Sequence, residues 1–152
     1  MPSGSNSGIL QARRKALTAH LPRLWHRTIR QWRAPRTDDA AWLIYSASYL
    51  LHAGGVKWAV DPVLPDNRIP EAPRLDVTSD LSELELVLLS HAHQDHRDVR
   101  LWSQLAPSRC HWVVPDHMLA DFTRHVAPRN VSHSVAVAGR ELNIAGLRIV
   151  PF

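Results

Sequence analysis

The spacing of apolar positions changes along the chain, and each change marks an element. From Thr18 onward Leu21, Leu24, Trp25, Ile29 and Trp32 fall on one side of a helical wheel, with Arg23, Arg27, Arg30 and Arg33 on the other. That pattern predicts an amphipathic helix with a basic face. Pro22 suits only a first turn, so the helix is expected to begin near Leu21 and to end before Pro35. Residues 1–8, MPSGSNSG, are small and polar and read as a disordered start. From Ala41 the period shortens to two: AWLIYSASYLLH, the turn signal Ala53-Gly54-Gly55, then VKWAV up to Asp61-Pro62. Two strands joined by a hairpin are expected there. Residues 63–80, with Pro65, Pro70 and Pro73, read as an irregular surface loop, and Glu83–Ser90 as a short buried strand. After it come a helix over DVRLWSQLA, a strand CHWVVP, a helix DHMLADFTRHVA stopped at Pro128, and three strand-like pieces within residues 131–152. Strands in a run followed by strands alternating with helices predict a mixed α/β (α+β) class with helices packed on a sheet.

Charge divides the chain in two. Residues 1–36 hold eight of the eighteen Lys and Arg and none of the fourteen Asp and Glu, so residues 37–152 carry a net charge of −4. The basic excess therefore belongs to the N-terminal arm. A folded body that is mildly acidic argues against nucleic acid as a partner. The arm itself has two readings, a helix packed on the body or a membrane-surface contact through residues 21–33, and an Arg-rich start also suits organelle targeting. The default compartment is the cytoplasm, since no secretory signal or membrane span is recognisable. One cysteine, Cys110, permits neither an internal disulfide nor a Cys-rich zinc site, and it reads as a buried or half-buried thiol rather than a nucleophile.

Ten histidines is a high count, and four candidate ligands fall within six residues: His91-Ala92-His93-Gln94-Asp95-His96. At this chain's His and Asp frequencies such an H-x-H-x-D-H string is expected by chance about three times in a thousand sequences. It follows the apolar run ELELVLLS and precedes a predicted helix, at the strand end where open sheets place ligands. In extended backbone alternate side chains point the same way, so His91 and His93 can chelate one ion. The turn into the helix can direct Asp95 and His96 toward a second. Imidazole with carboxylate suits zinc, with iron or manganese as alternatives.

The segment Val87-Leu88-Leu89-Ser90-His91-Ala92-His93-Gln94-Asp95-His96 resembles the metallo-β-lactamase fold superfamily. So do the hairpin ending in Asp61-Pro62-Val63-Leu64 and the later alternation through Val113-Val114-Pro115 to Gly146-Leu147-Arg148-Ile149-Val150-Pro151-Phe152. The Asp-Pro-Val-Leu ending is most similar to the branch with ascorbate-phosphate lactonase-like and phospholipase D-like hydrolases. The resemblance covers about residues 40–152, within a domain expected over residues 37–152. It implies the first half of an αββα sandwich, with His91 and His93 on a first metal, Asp95 and His96 on a second, and Asp61 as a carboxylate steadying the ligand loop. It also implies further ligands downstream, so the domain is expected to be C-terminally incomplete. The activity implied is metal-dependent hydrolysis of an ester, lactone or phosphodiester in a small-molecule or lipid-like substrate. In that reading metal-activated water is the nucleophile, and Asp95 orients it or takes its proton. The alternatives are a half-fold that binds metal weakly without catalysis, and a membrane-surface or interaction module.

The other histidines read more plainly. His52, His111, His117 and His125 suit surface or capping positions, and His133 is the first candidate for a substitute ligand. Trp42, Trp58, Trp102 and Trp112 read as core or groove aromatics.

Overall fold

The computed structural model describes residues 5–67, 69, 72–126 and 131–152. It opens with a long helix, α1 (Ser5–Arg33), followed by an antiparallel meander of β1 (Ala40–Tyr45), β2 (Ser48–Ala53) and β3 (Val56–Val60). A short helix α2 (Val77–Asp80) leads into β4 (Leu86–Leu88), α3 (Val99–Leu105), β5 (His111–Pro115), α4 (Leu119–Val126) and β6 (His133–Ala136). Strands β1 to β6 form one mixed sheet in sequence order, antiparallel from β1 to β3 and parallel from β3 to β6. The last strands, β7 (Leu142–Ile144) and β8 (Leu147–Ile149), make a separate hairpin. The class is mixed α/β, because parallel neighbours need crossovers and α3 and α4 supply them.

Strand periodicity decides what faces the helices. Leu50, Ala59, Val87, Trp112 and Val114 are buried in one cluster with Trp102, Leu105 and Phe122 of the crossover helices. Trp102 and Trp112 are fully buried, whereas Trp42 and Trp58 are half-buried. Cys110 is a buried thiol whose pKa is raised by desolvation. His52 is buried rather than at the surface, since it lies on the second strand of the meander.

Four expectations are corrected. The helix begins at Ser5 rather than near Leu21 and carries Pro22 in its interior. Residues 5–8 are helical, and residues 1–4 of the expected disordered start lie outside the described residues. Proline in a helix interior costs about 3 kcal/mol, a finite local penalty that a continuing helix can absorb. Leu24 is 48% exposed because it sits at the edge of the stripe, while Leu21, Trp25, Ile29 and Trp32 are buried. The stretch over 63–80 is not wholly a surface loop: Val63, Leu64 and Pro65 are buried, and α2 is capped by Asp76, whose side chain accepts from the Ser79 amide.

The second half of α1 belongs to the body's core. Trp25, Ile29 and Trp32 join the main cluster, Trp32 Nε1 donates to Leu51 O at 3.0 Å, and Trp25 Nε1 donates to Asp80. Leu21 packs with Ile69, Ala72 and Tyr45. The apolar face of residues 21–33 is thereby occupied and is not available to a membrane. Among the described residues no helix is long and apolar enough to cross one.

Candidate metal centre

The parallel pairing of β3 with β4 sets Val60 beside Leu88, and the chain leaves both strands at the same edge. The Asp61 amide donates to Leu88 O at 2.9 Å, which carries the pairing one residue past β3. There Asp61 adopts a φ of +41°, in the left-handed region that Asp and Asn tolerate better than most residues. Its side chain is thereby buried against the start of the His-rich loop, with 2% of the residue exposed.

That loop is held at both ends. Asp98 is fully buried: Oδ1 accepts from the Leu101 amide at 3.0 Å and caps α3, and Oδ2 accepts from the Leu64 amide at 3.2 Å. One carboxylate therefore fixes both the helix start and the Asp-Pro-Val-Leu segment. Val63 N donates to the buried Ser48 hydroxyl at 2.9 Å. Arg97 grips Asp121 of α4 through two bonds, 2.6 and 2.9 Å, and this guanidinium holds the Asp121 carboxyl below its usual range.

Inside the loop the His96 amide donates to His93 O at 2.9 Å, a tight turn that brings His96 back toward His91. The His91 and His96 ring centroids lie 3.9 Å apart, and those of His91 and His93 lie 4.7 Å apart at 81°. Asp95 Oδ2 is 3.8 Å from His96 Nε2. Two donors at about 2.0–2.1 Å on one tetrahedral ion stand roughly 3.3 Å apart, so this separation needs little adjustment for both to bind one ion. The rings of His93 and His96 thus both lie against that of His91, with the Asp95 carboxylate beside His96.

Donor atoms of Asp61, His91 and His96 fall within 4.8 Å of one another. The Asp61 oxygens are already engaged, however. Oδ1 accepts from the Ser90 amide at 2.7 Å, and Oδ2 accepts both from Ser90 Oγ and from His96 Nδ1, the latter at 2.8 Å. Ser90 Oγ also lies 2.8 Å from His91 Nδ1. A hydroxyl has one proton to give, and with Asp61 a carboxylate that proton goes to Asp61, so toward His91 the hydroxyl accepts. The network then reads in one direction: His91 Nδ1–H to Ser90, Ser90 O–H to Asp61, and His96 Nδ1–H to Asp61. In its neutral form each imidazole then carries its proton on Nδ1 and presents the Nε2 lone pair, a tautomer assignment that follows from the hydrogen-bond balance. Carboxylate-backed imidazole with a free Nε2 is the form that ligates metal, so the donor set fits a divalent ion. Asp61 serves better as the group that holds the ligands than as a ligand itself.

Ser90 is a residue of this network that the sequence pattern does not single out. Its signal was a hydroxyl at the end of a buried strand, one position before the first histidine. His133 stands apart, exposed, with Nδ1 bonded to Val131 O and its ring on Phe122. His111 lies between Ser132 and Ser134, His125 beside Asp121, and His117 is exposed.

No family model matches the chain, and no curated protein matches it significantly. What the residues can do must therefore be argued from their chemistry.

Proposed function

We propose that the protein is a metal-dependent hydrolase of the metallo-β-lactamase type that cleaves an ester, lactone or phosphodiester, with zinc as the best-suited ion. The observation that carries this reading is the hydrogen-bond network through Asp61 and Ser90, which engages Nδ1 of His91 and His96 and leaves Nε2 of each ring as the atom available to an ion. His91 and His93 would hold one ion, Asp95 and His96 a second. When bound, such an ion supplies Lewis-acid polarisation of a carbonyl or phosphoryl oxygen and acidifies water. The protein's own share is to fix the tautomers through Asp61 and Ser90. Asp95, part-exposed beside His96 Nε2, would receive a proton from attacking water. An apolar cleft lined by Ser90, Val60, Leu88, Val113, Ile149 and Phe152 adjoins the loop and suits an apolar substituent of the substrate.

A second reading, metal binding without turnover, is favoured by ligand number. A catalytic zinc typically has three protein ligands, and on this assignment each ion has two. Zinc titration of the chain, with hydrolysis assays on generic ester and phosphodiester substrates, tests both. Saturable binding weakened at least tenfold by His91→Ala and by His96→Ala supports the site, and chelator-sensitive turnover supports the hydrolase. Binding without turnover favours the second reading. Zinc binding that ignores both substitutions overturns the site itself.

A further inference from the structure

We propose that the outward face of α1 is a docking surface for an anionic lipid membrane. Among the described side chains of α1, Leu21 is the first buried one. Every described side chain from Gly8 to His20 is exposed apart from a half-buried Thr18, so the described side chains of this half of the helix are open to a surface.

The exposed face is patterned. Ile9, Arg13, His20, Arg23, Arg27 and Arg30 recur at helical spacing on one stripe, all exposed, over roughly 30 Å. No acidic residue occurs before Asp38. Arg33 and Arg36, nearer the body, pair with Glu83 and Asp38, whereas no ion pair among the described residues engages Arg13, Arg23, Arg27 or Arg30. The stripe is thus an uncompensated line of positive charge, and its complement is a negatively charged surface.

Exposed aliphatic side chains select lipid over nucleic acid. Ile9, Leu10 and Leu24 are 53%, 59% and 48% exposed and border the cations. Phosphate-backbone contacts require cations alone, whereas a helix lying in a membrane interface uses both cations and an apolar strip that enters the headgroup boundary. The docked face of residues 21–32 anchors the body below the helix, so α1 can lie flat on a membrane with the remainder of the fold on its far side. This inference is independent of the metal reading.

The test is co-sedimentation of the full chain with vesicles of equal parts phosphatidylcholine and phosphatidylglycerol, and with vesicles of phosphatidylcholine alone. Binding is expected to the first and not to the second, and to weaken as salt is raised. Combining Arg23→Gln, Arg27→Gln and Arg30→Gln should lower partition about a hundredfold, at roughly fivefold per cation near an anionic surface. These side chains are exposed, so the urea midpoint of the variant should stay within error of wild type and folding is checked independently. Indifference of the wild type to the phosphatidylglycerol vesicles overturns the proposal, as does a triple variant that binds like wild type. Tight, salt-sensitive binding to duplex DNA with no binding to vesicles also overturns it and makes nucleic acid the partner.

Discussion

Replacing Asp61 with asparagine separates what this carboxylate does for the fold from what it does for the ligands. The volume is conserved, and asparagine accepts the φ of +41° at this position. The bond from the Ser90 amide, 2.7 Å, survives because the amide oxygen can take the place of Oδ1. The other side is different. Nδ2 would face Ser90 Oγ and His96 Nδ1 with protons instead of lone pairs, so two charge-assisted bonds are lost or must reverse. Such bonds contribute about 1.5–3 kcal/mol each against about 0.5–1.5 for neutral ones. A reversed network therefore loses about 2–3 kcal/mol of stability, less than the loss from Asp61→Ala, which strands every donor. Reversal also moves the His96 proton to Nε2, the atom that would ligate. Zinc affinity should consequently fall about 10- to 100-fold, the usual cost of removing a carboxylate partner. Competition with a chromophoric chelator reads the affinity, urea unfolding the stability, and long-range proton–nitrogen NMR correlations the tautomers of His91 and His96. Native zinc affinity in Asp61→Asn, with His96 still protonated at Nδ1, would refute the reasoning.

Further outcomes are expected elsewhere. Asp98→Ala removes a helix cap and the anchor of the Leu64 amide together, and should lower stability by about 2–3 kcal/mol in urea unfolding; a loss under 1 kcal/mol would show that water replaces both bonds. Pro22→Ala should raise helicity and stabilise the chain by up to about 3 kcal/mol, because Pro22 is interior; a neutral result would place the start of the helix at Leu21. His111 is held below the usual imidazole range by burial and by His133, while its ring bridges Ser132 and Ser134. A lowered pKa means that the neutral ring is favoured in the folded state, so its contribution is present above the ordinary value and is lost as pH falls through the lowered one. The stability advantage of wild type over His111→Gln should therefore shrink between pH 7.5 and pH 5; an equal gap at both would remove His111 from the acid response.

Local chemistry made much of the fold legible. Alternation marks β1 to β3, Gly54 and Gly55 mark the hairpin, and Pro107 follows α3 closely. The candidate ligand string is legible because its members lie within six residues, but parity pairs His91 with His93, and it is the turn between His93 and His96 that brings the His96 ring against His91. The start of α1 was not legible, since a proline penalty is a local quantity and can be outweighed. The burial of Val63 to Pro65 was not either, because a Pro-rich polar stretch shows no period and its cover comes from elsewhere in the fold.

The least legible feature is the one that gives the site its chemistry. Asp61 and His96 are 35 residues apart, and only the parallel register of β3 against β4 brings them to 2.8 Å. The direction of the network, from His91 through Ser90 to Asp61, depends on that meeting as well. Residue types and short spacings determined which atoms could bind a metal, because those are properties of neighbours along the chain. Which nitrogen of each imidazole is free was decided by the tertiary structure, because a tautomer is set by whatever distant group occupies the other nitrogen.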